Sequence, residues 1–243
     1  NDDDAGVDGA DDITAGGGDD QVYGEGGNDT IDGGVGNDTL LGQAGDDTID
    51  GGEGNDEIHG GAGEDTIAGD HGNDEIHGGL GNDILTGGQG DDTIYGQDED
   101  DTIDGGTGND TIDGGTGNDT IKDLDGDNTI LGGSGDDVIT AGDGDDVINA
   151  GLGADTITGG AGRDHFIFGY DDFLDGYVDV IKDFEVGQLG DLLDLSDIHE
   201  KNLADGFGDA WAGAEWAHHH GYIGLSVEGD DTLVSYDQDG LYG

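Results

Sequence analysis

An aspartate recurs every nine residues along most of this chain: Asp11, Asp20, Asp29, Asp38, Asp47, Asp56, Asp65, Asp74, Asp83, Asp92, Asp101, Asp110 and Asp119, then Asp137, Asp146, Asp155 and Asp164. Only Asn128 interrupts the series. These carboxylates have almost no basic residues to pair with, since 62 Asp and Glu face 4 Lys and Arg and leave a formal charge of -58. Such an array repels nucleic acid and anionic membrane and attracts cations. Carboxylate and carbonyl oxygens suit a hard cation, which points to calcium rather than zinc or copper.

The aspartate is the sixth position of a nine-residue unit written eighteen times from Gly6 to Ile167 without insertion or deletion. Gly105-Gly106-Thr107-Gly108-Asn109-Asp110-Thr111-Ile112-Asp113 is its plainest copy. Position eight is apolar in all eighteen copies, Ile in fourteen, with Val22, Leu40, Leu85 and Phe166 as the others. Position four is Gly in all but one, positions one and two are mostly Gly, and position five is usually Asn or Asp. Gly there permits backbone angles closed to other residues and lets carbonyls crowd a ligand. The last three positions read as a three-residue strand with its middle side chain inward. A six-residue turn and one short strand cannot close a coil. Two of each can, giving eighteen residues per coil, two facing parallel sheets and a column of Ile between them.

Composition alone, with 57 Gly and 30% hydrophobic residues, fits a disordered chain, but a solvating tail has no reason to keep its apolar residues in register. Gly does not fall every third residue and Pro is absent, which excludes collagen. Nine coils stacked at about 4.8 Å make a rod of roughly 43 Å. One aliphatic residue in nine is too thin a core to offset the ordering cost. Asp side chains of successive coils also stand one strand spacing apart and repel. A divalent cation between successive turns, held by the position-six carboxylates and turn carbonyls, answers both problems.

The unit Gly-Gly-x-Gly-x-Asp-x-apolar-x resembles the calcium-binding repeat of the RTX (repeats-in-toxin, hemolysin-type) proteins, over two thirds of the chain. The resemblance implies an all-β fold: a right-handed parallel β-roll, or β-solenoid, of about nine 18-residue coils, spanning 1–167 and followed by a C-terminal β-rich cap over 168–243. It implies a chain unfolded at low calcium and folded after export, with roughly sixteen Ca2+ ions, eight per edge, held by the seventeen aspartates named above. Sixteen ions would lower the net charge to about -26.

Departures from the pattern mark expected weak points. Glu99 replaces the fourth Gly within Asp98-Glu99-Asp100-Asp101. In Asp123-Leu124-Asp125-Gly126-Asp127-Asn128 the opening Gly pair is gone and Asn replaces the key Asp. The latter also resembles the start of an EF-hand loop, but Gly sits two positions early and no Glu closes it. Calcium stapling is expected to be weakest at these copies, and Asp110 is expected to matter more than Asp123.

Residues eighteen apart stack on the outer faces. Position nine lines up Tyr23, Leu41, His59, His77 and Tyr95, with Glu57 and Glu75 beside the histidines. This is read as an exposed strand face rather than a transition-metal site of two His and two Glu or an aromatic binding stripe. Position seven aligns Thr30, Thr48 and Thr66, and Thr93, Thr111 and Thr129. Flanking Asp32, Asp50 and Asp113 spoil a flat ice-binding surface, for which Thr156-Ile157-Thr158 is the only suitable triplet.

After Ile167 the period stops. His165-Phe166-Ile167-Phe168, Asp179-Val180-Ile181-Lys182-Asp183-Phe184 and Asp191-Leu192-Leu193-Asp194-Leu195-Ser196 resemble the region closing many RTX arrays, with two residues too many from Gly187 to Asp191. Such a segment is needed to cover an open rod end. Asp197 to Trp216 reads as a short helix or loop. Leu225-Ser226-Val227 and Thr232-Leu233-Val234-Ser235-Tyr236 read as a β-hairpin across Glu228-Gly229-Asp230-Asp231, and Asp237-Gln238-Asp239-Gly240 as a turn. In the family a similar ending carries an uncleaved type I export signal. This chain ends at Gly243, where another strand usually follows, so that signal is expected to be incomplete or its tail missing. The chain opens at Asn1 and has no Met, as expected of a processed product or a fragment.

Catalytic constellations are not expected. His199-Glu200 begins like a zinc-protease helix, but Leu203 stands where the second His belongs. No Gly-x-Ser-x-Gly elbow or phosphate loop occurs. The tract His218, His219, His220, near Trp211 and Trp216, reads as an exposed loop rather than a metal site. No signal peptide or membrane-spanning run is visible, and without Cys the redox compartment is not legible. The favoured reading is an extracellular, secreted or cell-surface structural or adhesin-type protein of Gram-negative type I export. Its partners would be calcium and then itself or a cell-surface or matrix component, with no nucleic acid and no membrane insertion. The alternative is the C-terminal secretion and folding module of a larger exported hydrolase or epimerase. Ice binding is a third.

Overall fold

Thr, Ile and Val crowd positions seven and eight of each unit, and β-branched side chains favour extended backbone. In the computed structural model a strand opens at position seven of all eighteen copies, as in Thr30–Val35, Thr48–Glu53 and Thr111–Thr116. The structure describes residues 9–169, 177–185, 190–194, 222–228 and 231–237, and every regular element among them is a strand. The readings at His199-Glu200, at Asp197 to Trp216, at His218 to His220, at the Gly187 spacing and at the Asp237 to Gly240 turn lie wholly or partly outside the described residues.

The strand is longer than the three residues expected. Most strands have six, running on through both glycines to position three. The cause is pairing between coils: position two meets position two and position three meets position three, as in Gly34↔Gly52 and Val35↔Glu53, while position one is passed over. Only positions four to six remain as the turn. Three strands of the repeat array do stop after three residues, namely Gln21–Tyr23, Thr120–Lys122 and His165–Ile167. All three lack a following Gly pair, yet Thr39–Ala44 runs on through Gly42-Gln43 without one.

Strands alternate between two sheets, and within the array each pairs in parallel with the strand two units on, always eighteen residues away. This is the β-solenoid that the sequence pattern predicts, with about nine coils. The structure adds a tenth. Val178–Ile181 pairs with Thr156–Ala161 through Val180↔Thr156, and Leu192–Asp194 pairs with His165–Ile167 through Leu193↔Phe166. Beyond it Asp231–Asp237 joins Val178–Ile181 antiparallel, and Tyr222–Glu228 completes the expected hairpin at the edge of one sheet. Among the described residues that sheet has twelve strands and its partner ten.

The core is the predicted single column on each sheet. Position-eight residues from Val22 to Phe166 are buried, and Ile181 extends the column. Left-handed backbone is built into positions two and four, where a Cβ is disfavoured: Gly34 has φ of 96° and Gly36 of 143°. Glu99, singled out above, takes φ of 79°, and Glu25, Gln43, Asp70 and Gln97 share this strain at position two.

Because Ile112 is buried and its neighbour Thr111 exposed, Ile112→Ala should cost about 2–5 kcal/mol. Thr111→Ala should stay within about 0.5 kcal/mol. Thermal unfolding of both variants in saturating calcium checks this, and a reversed order would put the wrong face inward.

Candidate metal centres between the coils

Each three-residue turn ends on the position-six aspartate, whose side chain points inward. From Asp29 to Asp164 every member of the series is at most 3% exposed, while Asp11 and Asp20 are half-buried. The aspartates form two ladders, one per edge of the roll. In each, Oδ1 accepts the backbone N–H of the residue eighteen earlier: Asp83 donates to Asp101 at 2.8 Å, and Asp92 to Asp110 at 2.8 Å. Asn128 keeps its place, its Oδ1 accepting from Asp110 at 2.9 Å.

The second oxygen is different. At each aspartate of the series from Asp29 to Asp146, Oδ2 is buried and meets no hydrogen-bond donor. An unsatisfied buried carboxylate oxygen is costly. The neighbouring glycine shows where it faces. A Cβ on Gly51 would lie 2.6 Å from Asp56 Oδ2 and 3.0 Å from the Gly69 carbonyl oxygen of the next coil. Position one is therefore Gly for close approach, and a free carboxylate oxygen and a carbonyl oxygen border the same small space.

Those oxygens fit calcium. Among the described residues no three His, Cys, Asp or Glu side chains converge as a metal cluster. Any cation here must complete its shell from backbone carbonyls and water, as calcium does and tetrahedral zinc does not. The residues that would hold it are the position-six aspartates, with the position-one carbonyls of the adjacent coil.

Burial also shifts the carboxyl groups. Loss of water pushes Asp47, Asp74, Asp146 and Asp164 up to about 6, Asp83, Asp92 and Asp101 to about 7, and Asp137 to about 8. The donated N–H opposes the shift at each, and neighbouring carboxylates along the ladder reinforce it.

A second ladder runs outside. Position-five Oδ1 atoms accept the backbone N–H of the residue eighteen later, as from Asn37 to Asp19 at 3.0 Å and from Asp127 to Asn109 at 2.8 Å. This explains the Asn and Asp preference there, for which the sequence pattern offered no reason. Sequence reasoning also missed Asp179 and Asp191. Their Oδ1 atoms accept from Asp155 at 3.0 Å and Asp164 at 3.1 Å, extending each inner ladder by one rung. Asp183 accepts from Gly159 and Gly160 at 3.0 and 2.8 Å. The available signal was the local order Asp-x-apolar in Asp179-Val180-Ile181 and Asp191-Leu192-Leu193. Spacings of 24 and 27 residues hid it from a period of eighteen.

The histidines make a strand face. His59 and His77 stack at 4.5 Å and 9°, and Tyr95 stacks on His77 at 4.7 Å. Each imidazole Nε2 lies 3.1 Å from the Glu two residues before it, Glu57 or Glu75. Each histidine pairs within its own strand instead of sharing a four-ligand centre.

A family model described as the RTX calcium-binding nonapeptide repeat, of four copies, matches the chain at residues 6–40, 32–67, 41–76, 50–85, 77–112, 86–121, 113–148, 123–157 and 140–172. The matches run together over about two thirds of the chain. No curated protein matches it.

The raised carboxyls fix the sign of a pH effect. A group whose folded pKa lies above its unfolded value of 3.8 stabilises the fold below that value, and the contribution is lost as pH rises through 6 to 8. The calcium-depleted chain should therefore show more β-signal in far-UV circular dichroism at about pH 5 than at about pH 8. Equal or greater structure at the higher pH would mean the ladders are not buried as seen.

Proposed function

Since this chain belongs to the RTX calcium-binding nonapeptide-repeat family, we propose that it is an extracellular structural or adhesin-type rod whose folding is set by calcium on export. One observation carries this reading: the series of buried Oδ2 oxygens without donors from Asp29 to Asp146, interrupted at Asn128. Bound calcium supplies two positive charges and an oxygen-accepting shell between successive turns. The chain's own residues do the rest. Oδ1 of each ladder aspartate holds its carboxylate in register through the N–H it accepts, and the small position-one residue keeps the space open.

In the low-calcium cytosol the ladders repel and the thin core cannot hold the coils, so the chain stays threadable for type I export. Outside, neutralisation lets the coils close in sequence onto one another. Asp179 and Asp191 add a gap to each edge, taking the expected number of ions from about sixteen to about eighteen. The tenth coil and the hairpin serve as the cap. The role is non-catalytic: eighteen uninterrupted units exceed what a folding module needs, which supports the rod itself as the product. Its contacts would be with further copies or with a cell-surface or matrix component.

Far-UV circular dichroism during calcium titration tests the reading. The chain should be disordered in chelator and fold cooperatively at about millimolar calcium; a folded β-signal in excess chelator at neutral pH would sink it. Asp83→Asn keeps the Oδ1 acceptor but puts an amide where the free oxygen stood. It should raise the midpoint about tenfold, the effect of losing about 1.4 kcal/mol of binding.

A further inference from the structure

The unit Asp123–Leu131 loses its opening Gly pair and its ladder aspartate, and two of these breaks fall on residues that would line a cation site. Asp123 stands at position one, and Asn128 replaces the ladder aspartate. Taken singly, each break damages a cation site. The structure brings them into the same gap between coils. Elsewhere the space beside a position-one glycine is bordered by Oδ2 of its own aspartate and by a carbonyl oxygen from the next coil, as at Gly51 and Gly33. Beside Gly105 the carbonyl's place is taken by Asp123 Oδ2, and Asp110 Oδ2 lies 2.7 Å from the point a Gly105 Cβ would occupy.

Both carboxylates are deeply buried, Asp123 at 0% and Asp110 at 1% exposure. The Oδ2 atoms of both meet no hydrogen-bond donor. The ladder itself is intact, since Asn128 accepts from Asp110 and donates its N–H to Asp146 Oδ1 at 2.8 Å. Asn128 lacks only the spare oxygen: its Nδ2 is buried in that place without an acceptor. Two carboxylate oxygens bordering one buried point repel unless a positive charge lies between them. The two coils on either side of an ordinary gap carry one ladder carboxylate each, as with Asp56 and Asp74, whose Oδ1 accepts the Asp56 N–H. This gap also has two, because the charge lost at Asn128 returns at Asp123.

We propose that Asp110 and Asp123 together hold a calcium-sized divalent cation in this gap, the Asp123 side chain standing in for the ladder carboxylate that Asn128 lacks. The assignment rests on the reading that the gaps take calcium. It makes the cation column continuous through the most degenerate copy, and it makes Asp123 as important there as Asp110. This reverses the expectation drawn from the repeat pattern alone.

The test counts calcium bound per chain by equilibrium dialysis against Ca2+ alone, with melting temperatures in the same buffer. The proteins are the unsubstituted chain, Asp123→Asn, and the double variant Asp123→Gly with Asn128→Asp, which restores Gly at position one and Asp at position six. Asp123→Asn should bind one ion fewer and melt lower, and the double variant should recover both. If Asp123→Asn binds the same number and melts at or above the unsubstituted chain, the pair shares a proton that the amide replaces, and the assignment is overturned. If the single variant loses many ions because the coil opens, the double variant decides: recovery of the full number supports the site, and no recovery overturns it. An unsubstituted chain that binds no calcium would overturn the calcium reading as a whole, an outcome distinct from loss of this one site.

Discussion

A column of buried carboxylates, one strand spacing apart, is the constraint on which this roll depends. Among the described residues no basic side chain enters the column, and a core of one aliphatic side chain per unit is too thin to overcome its repulsion. The backbone N–H groups use one oxygen of each aspartate and leave the other. Geometry and charge are thereby divided between the two oxygens. Oδ1 fixes the register of the turns, and Oδ2 makes the folded state require something cationic or acidic.

The same division accounts for the shape of the unit. An inward aspartate at position six needs space beside it, which sets a small residue at position one, while left-handed backbone at positions two and four sets glycine there for a different reason. Asn and Asp at position five tie the turns from outside, with hydrogen bonds running in the opposite direction along the rod. Most turns are therefore clamped on both faces by side-chain oxygens accepting backbone N–H groups. The strands can then extend through the glycines, because their backbones find partners in the adjacent coil.

Irregular units show which parts of this arrangement are obligatory. Ala15, Ala141 and Ala150 occupy position one, so a single methyl is accommodated where the local spacing allows it. Among the described residues five that are not glycine accept left-handed backbone. Asn128 keeps the ladder hydrogen bond and loses the spare oxygen. The backbone bond is present at every rung, whereas the source of the second carboxylate shifts from position six to position one at Asp123. Outer faces vary freely, from the Thr columns to the stacked His59, His77 and Tyr95, because nothing inside depends on them.

The two-sheet solenoid, its buried Ile column and the position-six aspartates are all legible in the sequence. An uninterrupted period of nine forces equivalent residues into equivalent places, and alternation around position eight tells inside from outside. Strand length was not legible, because it depends on whether glycine backbones find partners in the next coil. Nor were Asp179 and Asp191, whose contacts are made at separations of 24 and 27 residues that no period announces. The pairing of Asp110 with Asp123 was hidden for the same reason: thirteen residues apart in the chain, they meet because coil closure brings position one of one coil over position six of the coil before it. Periodicity determined which residues repeat, and only the closing of each coil on the last decided which oxygens share a space.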